Sequence, residues 1–254
     1  MSTAPSTSAS IQEADVLMML QCIGRLEEQD KDEVAKLIDM LEPSCESQRL
    51  CNTLRTLELV FEQFQNPSKN EDYTLKLRSR LRRLLVEKTD VSTKRQCLRT
   101  THAAVRSFGM GWLGQDPELC VIVCRITAVE YRLMADKEPS ELGDSSDEAA
   151  LLEACSTLLT DCMQLAESDD TKIDDHMALA ISQSVRECCA FYADWLLMCD
   201  RDDSLKPHAC AVVSVLRLLS TFLEHGGEEL LRDAVDVRLL QTVVDRLSNE
   251  YNAA

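Results

Sequence analysis

Residues 151–165 read LLEACSTLLTDCMQL. Leu151, Cys155, Leu158, Cys162 and Leu165 recur at alternating steps of four and three. That spacing gathers apolar side chains on one face of a helix of about 3.6 residues per turn; in a strand it would scatter them over both faces. The next apolar run repeats the pattern with Met177, Ile181, Val185, Cys188, Tyr192 and Trp195. Upstream, Leu119 to Met134 (LCVIVCRITAVEYRLM) is apolar on most faces and predicts a central, deeply buried helix.

The same period continues in both directions. Val16, Met19, Leu20, Ile23 and Leu26 form one stripe, and Leu50, Leu54, Leu57, Phe61 and Phe64 form another, closed by Asn66-Pro67. Leu77, Leu81, Leu84 and Leu85 back a helix whose other face is Lys76, Arg78, Arg80, Arg82 and Arg83. Thr93 to Phe108 predicts a helix stopped by Gly109, Gly111 and Gly114, after which Asp116-Pro117 restarts the chain as N-cap and first helical residue. Pro207 opens a helix running to Leu223 and ended by Gly226-Gly227, and Val237, Leu240, Val244 and Leu247 mark the last helix. Ten or eleven helices and no strand result.

Composition agrees with this. There are 7 Gly and 6 Pro in 254 residues and aromatics are 4%, which favours long helices and starves a sheet of turns and β-formers. The expected fold class is all-α: an armadillo/HEAT-like irregular α-solenoid with helix pairs starting near residues 11, 47, 93, 147 and 206, the alternative being a globular helical bundle. The expected organisation is a disordered Ser/Thr-rich start over 1–10 and a single helical-repeat domain over 11–250, with an acidic loop at 136–148.

Met1 to Ser10 (MSTAPSTSAS) is polar with no apolar core behind it, so it does not read as a secretory signal. The longest apolar stretch, Ala209 to Leu223, carries Arg217 and is short for a membrane span, and a soluble cytosolic protein is expected. Twelve cysteines on apolar helix faces predict reduced, packed thiols rather than a disulfide framework.

Net charge −17 disfavours nucleic acid as a partner, but the charge is unevenly spread. Lys76 to Arg106 holds ten Lys or Arg against Glu87 and Asp90, whereas Glu138 to Asp175 holds twelve acids against Lys172 alone. Arg78, Arg82 and Arg83 are therefore expected to reach solvent as a fixed cluster able to dock acidic or phosphorylated segments of other proteins. Pairing with the 138–175 region, within the chain or between two copies, is the alternative, and an exposed helix face with no partner is the plainest reading.

Catalytic and cofactor signals are weak. Gly109 to Gly114 (GMGWLG) matches the glycine spacing of a dinucleotide-binding turn, with Glu130 near the distance of a ribose-binding acid, but the segment before it is helical. A glycine-rich turn between helices, with no cofactor, is the expectation. No CxxC pair occurs, and Cys120/Cys124, Cys155/Cys162 and Cys188-Cys189 read as core thiols, with no metal site. His102, His176, His208 and His225 carry no local support for a catalytic triad. The chain is expected not to be an enzyme.

Arg80 to Leu85 (RLRRLL), a helix ending near Gly111-Trp112-Leu113, Ala128 to Leu133 (AVEYRL), the acidic helix pair, and Ser214 to Leu219 (SVLRLL) with Glu224 follow in an order and spacing that resembles the neurochondrin family over roughly residues 50–245. The resemblance implies an armadillo-like, cytosolic, non-catalytic protein of neuronal cell bodies and dendrites. It also implies action through protein contacts in neurite outgrowth and synaptic signalling, including restraint of calcium/calmodulin-dependent kinase phosphorylation and binding to receptor tails. Family members are much longer, and the resemblance covers their C-terminal portion. No functional residue is carried over individually. A protein-interaction scaffold or regulator is the resulting expectation, with a structural subunit of a larger complex as the alternative.

Overall fold

A computed structural model describes residues 31–63, 71–135, 142, 145–201 and 207–252. About 84% of the described residues are helical and no strand occurs among them. The first stripe, the Ser/Thr-rich start, Phe64, Asn66-Pro67 and most of the acidic loop lie outside the described residues.

The helices are α1 (Lys31–Asp39), α2 (Ser47–Gln63), α3 (Glu71–Val86), α4 (Val91–Phe108), the short α5 (Gly111–Gly114), α6 (Pro117–Ala135), α7 (Ser146–Glu167), α8 (Asp175–Arg201), α9 (Ala209–Phe222), the short α10 (Glu228–Leu231) and α11 (Val237–Asn252). Five of the longer ones begin on side-chain caps that their sequences supply. The Asp90 carboxylate accepts from Thr93 N at 2.8 Å, Asp116 from Leu119 N at 3.0 Å, Ser145 Oγ from Glu148 N at 3.2 Å, Asp174 from Met177 N at 2.8 Å and Asp236 from Leu239 N at 3.2 Å. The N–H bonds and the Thr93 hydroxyl hold the Asp90 carboxyl down at about 2, together with Ser47, whose side-chain bond is the largest cause.

The longer helices alternate between two layers, most of them packing on a neighbour in the chain and each on the next helix of its own layer. One layer is α2, α4, α7 and α9, each packed on the next; the other is α1, α3, α6, α8 and α11. Contacts run across the layers between α3 and α4, α6 and α7, α7 and α8, and α9 and α11. Within a layer neighbouring helices run parallel: Cys51 meets Thr93 while Glu58 meets Arg99, and Thr157 meets Arg217 while Glu167 meets His225. In the second layer Cys124 lies by the Ile181 carbonyl, and the Tyr192 hydroxyl donates to the Tyr131 carbonyl at 2.6 Å.

One expectation is corrected here. The acidic loop does not extend to 148, because Ser145 caps a helix that starts at Ser146; Asp147 and Glu148 form its first turn, where carboxylates meet the helix dipole favourably. Helix α6 is buried over most of its surface, as expected, with Arg125, Val129, Arg132 and Leu133 exposed in one outer stripe. The more deeply buried helix is α4, where Cys97, Leu98, Thr100, Thr101, Ala103 and Ala104 are all within 2% of complete burial. Its threonines fit because their hydroxyls bond backward to carbonyls one turn earlier, Thr100 also to Leu54 O at 3.0 Å.

The apolar segment Ala209–Leu231 has the length and hydropathy of a membrane-crossing helix, but core helices share that composition. Here Ala211, Val212, Val215, Leu216, Leu218, Leu219 and Phe222 face the core. The helix is also interrupted at residues 223–227, with Gly226 at φ +78°.

Candidate functional site

The basic helix α3 is folded inward. Arg78 is buried: its Nη1 donates to the Trp112 carbonyl at 3.1 Å and to Gln115 Oε1 at 2.8 Å, and its guanidinium lies 5.8 Å from the Trp112 ring centre. Burial lowers its pKa, partly offset by Asp116. Arg82 bridges Asp116 at 3.3 Å and Glu118 at 2.6 Å, while Arg83 pairs with Glu87 at 2.7 Å and Glu42 at 3.2 Å. Lys76 pairs with Asp39 and Arg80 with Glu42.

The expectation of a solvent-facing Arg78, Arg82 and Arg83 cluster is therefore corrected for Arg78. The α5 turn packs over the flank of α3 on which Arg78 sits, so a residue on the polar side of its own helix is interior to the whole. Arg82 is satisfied by Asp116 and Glu118 at the start of α6, and Arg83 by Glu42 in the turn after α1 and by Glu87 just past the end of its own helix. The 138–175 region supplies none of these partners; among the described residues it meets the basic stretch at Arg99 and Asp147, 3.0 Å apart.

The glycine turn holds two glycines for separate geometric reasons. Gly109 closes α4 at φ +86°, a conformation that glycine adopts without strain. A Cβ on Gly114 would come within 2.8 Å of Leu165, so the third glycine allows α5 to sit against α7. Gly111 has open space around it. The turn is preceded by helix α4, as expected, rather than by the strand of a dinucleotide site.

Eleven cysteines are described, all as free thiols, and Cys97, Cys120, Cys124, Cys155, Cys162, Cys188 and Cys189 are buried. Burial pushes the Cys97, Cys155, Cys188 and Cys189 thiols far up; Cys162, hydrogen-bonded with Cys120 and Cys124, is raised too. Such thiols are poor nucleophiles. Cys45, Cys51, Cys199 and Cys210 are half-buried, a partial departure from the expectation of burial. Among the described residues no three His, Cys, Asp or Glu side chains are grouped to hold a metal ion.

The polar constellation that does form lies along the α4–α7–α9 layer. Glu58 of α2, buried, accepts from Gln96 Nε2 at 2.5 Å and Arg99 Nε at 2.9 Å. Arg95 Nε donates to the buried Glu130 at 2.9 Å. Arg95, Gln96 and Arg99 line an open groove of about 500 Å³ between α4 and the start of α7, with Ser145, Asp147 and Glu148 on its far wall.

One turn along α4 from Arg99 stands His102, only 9% exposed and without a hydrogen bond among the described residues. Desolvation holds its pKa down to about 4, with Arg106 and Arg217 pushing the same way and Glu153 opposing them. Arg106 is exposed and has no ion pair or hydrogen bond among the described residues. Arg217, exposed on α9, donates to Thr157 Oγ1 at 3.2 Å. Asp161, one turn beyond Thr157, is half-buried, and burial raises its carboxyl to about 6.

Sequence reasoning singled out α3 and missed this strip. The available signal was Arg99, His102 and Arg106 at helical spacing on α4, which place three nitrogen-bearing side chains in one row. Comparison of the chain with protein-family models, with curated proteins and with solved structures found no match.

Proposed function

We propose that this chain is a non-catalytic protein-interaction scaffold, built as an irregular α-solenoid of the armadillo/HEAT type. The observation that carries the reading is the order of helix contacts. The longer helices alternate between two layers and each packs on the next in its own layer, with parallel helices within each layer. Stacked helix pairs of this kind leave one layer with a long strip of side chains from successive repeats, the usual recognition surface of such proteins. Helices beginning at Ser47, Val91, Ser146 and Ala209 fall close to the repeat starts that the sequence suggests.

The resemblance to neurochondrin adds a signalling role to this reading: regulation of kinase phosphorylation or receptor tails in the cytosol of neurons. Proximity labelling and pull-down with the intact chain test the proposal. A reproducible set of protein partners above background is expected, and failure to retain any would overturn it.

A structural subunit is the second reading, favoured by the exposed Leu75, Val129, Leu133 and Leu179 on α3, α6 and α8. Elution of the native protein only as part of one large complex of fixed composition would support that reading over the first.

A further inference from the structure

We propose that Ser145 is a phosphorylation site, and that Arg95 and Arg99, on the opposite wall of the groove between α4 and α7, receive its phosphate. The proposal goes beyond the scaffold reading and holds whichever partners the chain has.

The receiving wall is built on buried charge. Arg95 and Arg99 stand one turn apart on α4, so their side chains leave the same helix face about 5–6 Å from each other. Each is steered through its Nε by a buried carboxylate on a neighbouring helix, Arg95 by Glu130 of α6 at 2.9 Å and Arg99 by Glu58 of α2 at 2.9 Å. An arginine held at Nε keeps its Nη groups as donors for a second acceptor. Those of Arg95 have no acceptor among the described residues, whereas Arg99 Nη1 crosses the groove to Asp147 at 3.0 Å.

That ion pair shows how near the far wall lies. Ser145 precedes Asp147 by two residues, a Cα separation of about 5.4 Å at helical pitch. Because α4 and α7 are neighbours in a layer of parallel helices, the chain upstream of Asp147 runs toward the start of α4, where Arg95 stands. Ser145, Arg95 and Arg99 accordingly line one groove of about 500 Å³. Ser145 is exposed, and its Oγ accepts from Glu148 N at 3.2 Å. A phosphoryl group on that oxygen supplies three further acceptors between the first-turn N–H groups of α7 and the free donors of Arg95.

The neighbouring acids indicate the enzyme. Asp147 and Glu148 follow Ser145 by two and three residues, so an acid-directed serine/threonine kinase can hold both carboxylates with its own cations. The kinase transfers the γ-phosphoryl group of ATP: the Oγ–P bond forms, the bond from that phosphorus to the bridging oxygen of ADP breaks, and the hydroxyl proton leaves. Ser184 has an acid at the same distance, Glu187, but it is half-buried and its hydroxyl donates back to the Ala180 carbonyl at 2.9 Å.

The test treats the full chain with ATP and an acid-directed kinase, maps the phosphate by mass spectrometry and compares hydrogen exchange before and after. Ser145 should be phosphorylated in most chains, and exchange should then slow about tenfold in both residues 146–151 and residues 91–99, the two ends of the new bridge. The double variant Arg95→Gln/Glu130→Gln removes the receiving cation without leaving Glu130 buried and unpaired. It should be phosphorylated at Ser145 to the same extent but lose the slowing in 91–99. A Ser145 left unmodified, modification without slowing in 91–99, or equal slowing there in the double variant would each overturn the proposal.

Discussion

Asp161 and His102 lie in the same layer, and burial shifts their pKa values in opposite directions, favouring the neutral form of each. Burial raises the Asp161 carboxyl from 3.8 to about 6, so the folded chain holds its proton more tightly than the unfolded chain does. That contribution to stability is complete below about pH 4 and is lost as pH rises through about 6, after which a poorly solvated carboxylate remains. Asp161→Asn should therefore raise stability by about 1–3 kcal/mol near pH 7 and change little near pH 4, read by urea denaturation at both. His102 is lowered from 6.5 to about 4, so the unfolded chain takes up its proton first and stability falls as pH drops between those values. His102→Gln should flatten that acid limb by about 2–3 kcal/mol, and an unchanged pH profile would contradict the assignment. Neither residue was legible from sequence as a site. Asp161 reads as one acid among twelve in its region, and His102 as a lone histidine, until α4, α7 and α9 are brought side by side.

Helix existence was legible because the apolar stripes of α2, α7 and α8 are long and regular, and the caps at Asp116-Pro117 and Gly226 are local chemistry. Which polar faces meet water was not, because that depends on neighbours distant in sequence, as Arg78 under the α5 turn shows. Arg78→Ala should cost about 2–4 kcal/mol, since it leaves the Trp112 carbonyl without its donor and opens space beside the indole. Arg83→Ala, at an exposed position, should leave melting unchanged; equal losses for the two would return Arg78 to the surface. The glycine turn yields a parallel series. Gly109→Ala should cost about 1–2 kcal/mol through its positive φ, and Gly114→Ala about 1–3 kcal/mol through the contact with Leu165. Gly111→Ala, in open space, should stay within about 0.5 kcal/mol of the parent. A cofactor-binding turn would instead show its largest losses in binding.

At the scale of the molecule, stacked repeats and a cooperative bundle differ in how far a local loss spreads. In a stack each helix pair contacts only its neighbours, so stability is close to a sum of local and nearest-neighbour contributions. A bundle shares one core and unfolds as a unit. Leu240 on α11 is fully buried at one end of the described chain, where α11 meets α8 and α9. Leu158 on α7 is equally buried but lies in the middle, on a helix that packs against α4, α6, α8 and α9. Either Leu→Ala change removes about 2–5 kcal/mol of core packing. Native-state hydrogen exchange should then separate the two architectures. In a stack, Leu240→Ala should speed exchange in α8, α9 and α11 and leave the protection of α2, α3 and α4 as it was, while Leu158→Ala should weaken protection on both sides of α7. Protection that falls equally in every helix for both variants would mean that the contacts, although ordered along the chain, act as one cooperative core, and the globular bundle would be the better description.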